Sequence, residues 1–126
     1  MSLRTPLGRV LGLGTAKDGT GHFWHQRVSA VALALLGLWF VVALFSQGSF
    51  AHKDVVASIA LPFNSILLTL FCVTLAYHSY LGVQVVIEDY VHAAGLKIVS
   101  LLFSRFAHVF VAVVSVYAIL KIGLGT

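Results

Sequence analysis

The stretch Ser65–Ile87, SILLTLFCVTLAYHSYLGVQVVI, decides how this chain folds. It holds no formally charged side chain, begins just after Pro62 and stops at the pair Glu88–Asp89. A helix needs about 20 mostly apolar residues to cross a hydrocarbon layer of about 30 Å, so this run is long enough to span a bilayer. Two further runs flank it. Val28–Phe45, VSAVALALLGLWFVVALF, has Ser29 as its only polar side chain, and a third extends from about Ile98 to Leu120 between Lys97 and Lys121. The pattern predicts an all-α membrane protein in one domain over 1–126, with transmembrane helices at about 28–46, 64–87 and 97–121 behind a lead of residues 1–27.

Composition agrees. Of 126 residues, 60% are hydrophobic and 10% charged, where soluble chains average about a quarter charged. That balance excludes a free-standing soluble enzyme and equally excludes disorder. The lead carries Arg4, Arg9, Lys17 and Arg27 against the single acid Asp18, whereas the segment between the first two spans offers Lys53 beside Asp54. By the positive-inside rule the N-terminus lies on the cytoplasmic side and the C-terminus on the periplasmic side. The net charge of +4 reports this orientation rather than nucleic-acid binding. All three runs exceed a signal-peptide core, so none reads as a cleaved leader. Cys72 is the only cysteine, which leaves no intrachain disulfide or thiolate cluster and makes it an inert core residue. No internal repeat is visible, which argues against a transporter built from inverted halves.

The chemistry rests on the polar residues that lipid should not tolerate. His78 lies about nine residues, or 13 Å, from the predicted cytoplasmic end of its helix. There it is either a hydrogen-bonded packing residue or a ligand. Gly82 and Asp89 follow it by offsets that come to about 40° and 20° at 100° per residue, so the three share a face. A glycine one turn from a histidine leaves a recess for a flat macrocycle; equally, it lets another helix approach. Tyr90 is a simple interfacial anchor or a phenol able to donate to a quinone carbonyl, with Asp89 beside it to support such a site or relay a proton. Arg27, at the start of the first span, is a snorkelling positive-inside arginine or a forked donor to a carboxylate such as a haem propionate. His22 and His25 rank below it for that role. Arg105 and His108, three apart in the third span, share a face. His78 and His108 are either two ligands of one haem, or His108 is satisfied by a neighbouring hydroxyl while Arg105 meets a partner subunit. The second account is favoured.

The run His78-Ser-Tyr-Leu-Gly82-Val-Gln84-Val-Val-Ile-Glu-Asp89-Tyr90-Val-His92 resembles the second helix of the small, subunit-D type membrane anchor of succinate dehydrogenase, complex II. The family pattern is a histidine, glycine four later, glutamine six later and Asp-Tyr at eleven and twelve. The stretch His22-Phe-Trp-His-Gln-Arg27-Val-Ser-Ala30 is similar to the family's segment leading into helix one. The resemblance implies that His78 is one axial ligand of a haem b whose iron takes its other ligand from a second membrane-anchor cytochrome b subunit. It also implies that Arg27 faces the haem propionates, that Tyr90 hydrogen-bonds ubiquinone and that Asp89 supports that site. The implied partners are that second anchor, an iron–sulfur subunit and a flavoprotein subunit, in a bacterial inner membrane; a mitochondrial inner membrane ranks second. The implied activity is a non-flavin part of succinate:quinone oxidoreductase. Helix three carries no alignable motif, so Arg105 and His108 inherit no role.

Two other classes of function compete. One is a self-contained membrane haem b electron carrier using His78 and His108. The other is a small transporter subunit, against which stands the absence of any acid within a predicted span. The chain shows neither a Gly-rich dinucleotide fingerprint nor a cysteine cluster, so it has no dehydrogenase site of its own.

Overall fold

The structure is a computed structural model that describes residues 19–125, with side chains from residue 21 onward. Four helices account for it: α1 (Gly19–Phe45), α2 (His52–Ala60), α3 (Pro62–Tyr90) and α4 (Ala94–Gly123). Among the described residues no strand occurs. Three helices are long and apolar enough to cross a membrane, over Gly21–Phe45, Pro62–Tyr90 and Ala94–Gly123. Each helix runs beyond its apolar run, because backbone hydrogen bonding does not stop where hydrocarbon does. The largest extension is at α1, which begins at Gly19 and so carries Arg27 within the helix, more than two turns from its first residue.

The ends have local causes. Pro62 occupies the first turn of α3, where its missing N–H loses nothing. At the other end of α3, Lys97 Nζ donates to the Glu88 carbonyl at 2.8 Å, a cation on the otherwise open C-terminal carbonyls. The segment between the first two spans is not a plain loop but contains α2, whose Asp54 sits in its first turn, where a carboxylate suits the helix dipole. The Val55, Val56, Ile59 side of α2 is half-buried and its Lys53 side exposed. Asn64 at the start of α3 ties the two helices by donating to the Ser58 carbonyl at 2.9 Å, and the Ser65 hydroxyl donates to the Ile59 carbonyl.

Helix α3 is the centre of the molecule. It packs against α1 on one side and α4 on the other, while α1 and α4 do not touch among the described residues. In the α1–α3 seam Phe71 stacks on Phe40 with ring centroids 5.1 Å apart and reaches into the space left by Gly37. In the α3–α4 seam Gly123 allows a close approach, since a Cβ there would lie 2.8 Å from Ser65 Oγ. A row of three helices has little interior. Only Leu81, Ile119, Ser29 and Ser104 are buried among the described residues, and the apolar remainder faces outward, as expected of a chain whose solvent is lipid and partner protein.

Candidate cofactor site

Two of the four buried residues are serines, and each adjoins a histidine. Ser29, 5% exposed, lies opposite His78 in the α1–α3 seam, with Ser29 Oγ 2.9 Å from His78 Nδ1. The serine donates its single proton to the Gln26 carbonyl at 3.1 Å. Its oxygen is therefore left to accept, so His78 carries its proton on Nδ1 and its lone pair on Nε2. That is the tautomer that ligates a metal through Nε2, with the second nitrogen oriented by a hydrogen bond. In front of Nε2 stands only the Gln26 amide, a long 3.4 Å contact. Gln26 Oε1 itself is buried with no partner, an amide held in place by little.

Gly82 completes the recess one turn further along. A Cβ there would meet Gln26 Nε2 at 3.8 Å, ordinary contact, so the glycine borders the same small space as Nε2. The donor set therefore fits a haem b iron: an imidazole oriented at Nδ1 by Ser29, a weakly held amide in front and a glycine beside it. His22, on the same face of α1 two turns before Ser29, also has a buried Nε2 without a partner.

His108 behaves differently. Its Nδ1–H donates to the Ser104 carbonyl at 2.7 Å, and its Nε2 accepts from the Ser79 hydroxyl at 3.2 Å. Both nitrogens are committed to the α3–α4 seam, which is the hydrogen-bonded packing role favoured from the sequence. His78 and His108 lie in different seams.

Of the other residues singled out in the sequence, none shares the His78 recess. Arg27 is exposed and lays its guanidinium over the Phe23 ring at 5.1 Å. Two residues from Ser29, it points about 160° around α1 from the serine that holds His78. Asp89 and Tyr90 form the last exposed turn of α3, Tyr90 being 78% exposed, eleven and twelve residues beyond His78. Gln84 is tied locally, its amide donating to Glu88 Oε1 at 2.8 Å. What sequence reading did not assign is the α1 side of the site, Ser29 and Gln26, and the pair His25–Tyr77, whose Nδ1 and hydroxyl lie 2.7 Å apart. The available signal was Ser29 itself, the sole polar residue in an apolar span, but its partner depends on how the helices align.

The succinate dehydrogenase/fumarate reductase transmembrane subunit family matches residues 1–119. The chain belongs to this family. Among its similar relatives is the succinate dehydrogenase hydrophobic membrane anchor subunit of Paracoccus denitrificans, 31% identical over 96% of this chain and 93% of that protein. The corresponding subunit of Rickettsia bellii is 32% identical over 75% of each chain. The succinate dehydrogenase membrane anchor subunit of Reclinomonas americana is 38% identical over 71% of this chain and 77% of that protein. The family match spans α1 to most of α4, so it takes in the His78 recess and the Asp89–Tyr90 turn together.

Proposed function

We propose that this chain is the small hydrophobic anchor of a succinate:quinone oxidoreductase, contributing one axial ligand to a shared haem b and part of a ubiquinone-reduction site. The observation that carries the reading is the setting of His78, with Ser29 Oγ at Nδ1 and a glycine beside Nε2. With Nδ1–H held by Ser29 at 2.9 Å, the Nε2 lone pair is available beside Gly82, and a chain with one such nitrogen needs a partner to supply the other ligand. When bound, the haem supplies a one-electron carrier at that depth. Ser29 fixes the plane and tautomer of the imidazole, and Gln26 yields the space in front of Nε2. Arg27, exposed within two residues of Ser29 on α1, is a permanently charged fork that suits a haem propionate.

At the end of α3, Tyr90 is free to donate its phenolic proton to a quinone carbonyl, and Asp89 adjoins it with a carboxylate open to water. Quinone reduction takes up two protons with two electrons, so such a mouth must be wet. Lys97 holds the turn shut on its inner side through the Glu88 carbonyl at 2.8 Å, which leaves Asp89 and Tyr90 facing outward. In this reading the N-terminus and the α3–α4 turn lie on the cytoplasmic side of a bacterial inner membrane. The partners are a second membrane anchor, an iron–sulfur subunit and a flavoprotein, and succinate oxidation takes place in the flavoprotein.

The test compares two electron acceptors in the purified complex. Tyr90→Phe removes one hydrogen-bond donor and keeps the ring. A single lost hydrogen bond of about 1 kcal/mol lowers quinone reduction about fivefold, while succinate oxidation by a soluble dye is unchanged. Equal quinone rates for variant and parent contradict the contact.

A further inference from the structure

On one open face of the three-helix row, polar side chains from all three spanning helices lie near one another. Tyr77 on α3 hydrogen-bonds His25 on α1 at 2.7 Å. Tyr80, one residue row along, sets its ring edge-to-face on His108 of α4, with centroids 6.0 Å apart. Arg105 lies on the same α4 face as His108, and these residues line a groove of about 300 Å³ whose floor includes Val109 and Ala112. A neighbouring groove of about 290 Å³ continues across Tyr77 to His25. The second groove also takes in Ser29 and so borders the α1–α3 seam, but His78 itself lines neither groove.

Arg105 is the costly member. It sits about one turn from the middle of α4 (Ala94–Gly123) and is exposed. No acid follows Asp89 in the sequence, and the whole chain has four, so nothing in α4 can neutralise it. Phospholipid phosphates begin only about 15 Å from the midplane, half the hydrocarbon thickness. Acyl chains at the depth of Arg105 offer neither charge nor hydrogen-bond acceptors, and intramembrane arginines pair with protein groups or line polar cavities. The small side chains of Ala76 and Ala112 in the groove allow a helix to approach closely.

We infer that the His25–Tyr77–Tyr80–Arg105 face is an interface for a transmembrane helix of a partner subunit that carries an acidic side chain at the level of Arg105. The inference rests on the proposed function only in requiring a second hydrophobic subunit in the complex. Phe103, Phe106 and Phe110 are exposed on the other side of α4 and, in this reading, face lipid.

The test places a photoreactive p-benzoylphenylalanine at Val109 in the groove, or at Phe103 on the other side of α4, in the complete complex in its native membrane. The expected result is an adduct with a second hydrophobic subunit from position 109 and none from position 103. In parallel, Arg105→Lys assembles normally, while Arg105→Glu sets two acids against each other and lowers recovery of the assembled complex about 5- to 30-fold. Labelling of lipid alone from position 109, in a complex from which a second hydrophobic subunit co-purifies, overturns the interface and leaves the proposed function standing. If no second hydrophobic subunit co-purifies, the shared-haem reading falls first, and this inference with it.

Discussion

Replacing Ser29 by alanine isolates the contribution of the α1 side to the His78 site. The substitution deletes one oxygen, 2.9 Å from His78 Nδ1 and 3.1 Å from the Gln26 carbonyl, and leaves the backbone and Cβ in place. Two consequences compete. The α1–α3 seam loses its one hydrogen bond to His78, about 0.6 kcal/mol in a membrane, and α1 loses a local bond to its own Gln26 carbonyl. The imidazole loses the partner that fixes its tautomer and ring plane, and for ligating histidines that loss lowers metal affinity about 10–100-fold, or about 1.4–2.7 kcal/mol. The ligand effect is the larger, and the seam keeps its Phe40–Phe71 stack. Ser29→Ala should therefore assemble near parental levels yet release haem faster. The assay is transfer of haem from the purified complex to an excess of apo-globin, followed optically, with subunit stoichiometry measured on the same sample. Parental release rates in a fully assembled variant would refute the claim that Ser29 orients a ligand. Loss of assembly with haem retention tracking the assembled fraction would show instead that Ser29 is a packing residue.

Two other substitutions test neighbouring parts of the account. His108→Leu removes the bonds to the Ser104 carbonyl and the Ser79 hydroxyl; it should lower the thermal stability of the detergent-solubilised complex by about 1 kcal/mol with haem per complex unchanged, and loss of haem would favour a His78–His108 ligand pair. Gly123→Ala puts a methyl group 2.8 Å from Ser65 Oγ and should destabilise the α3–α4 end by about 1–3 kcal/mol, a loss read by thermal melting and relieved by adding Ser65→Ala; an unaffected melting temperature would mean that the helices separate there at no cost.

The three crossings were legible because lipid imposes a simple rule: about 20 apolar residues between charges. Ser65–Ile87 obeys it without ambiguity. The rule reads hydropathy rather than hydrogen bonding, which is why α1 starts well before Val28 and why the short α2, with His52, Lys53 and Asp54 in its first turn, escaped a search for apolar runs. His78, Gly82 and Asp89 could be placed on one face from spacing within a single helix. The partners of His78 could not be found that way. Whether Ser29 or another residue meets the imidazole depends on the vertical alignment of two helices, and that is set by contacts such as Phe71 against Gly37, which leave no mark in hydropathy. For the same reason Arg27 reads as the start of a span, yet stands within a helix and turned away from Ser29. Arg105 and His108 share a face in sequence and structure alike. Their different situations, one exposed and one bonded at both nitrogens, follow from the position of α3.

The central claim is that His78 ligates haem iron through Nε2, and one measurement addresses it most directly. The reduced-minus-oxidised optical spectrum and the ferric spin state are compared between the parent complex and a His78→Ala variant, with exogenous imidazole added to both. The account predicts a six-coordinate low-spin b-type haem in the parent. The variant should have lost the haem or hold it as five-coordinate high-spin, returning toward low spin when imidazole is added. An unchanged low-spin spectrum in His78→Ala, with haem per complex at the parental level, would contradict it.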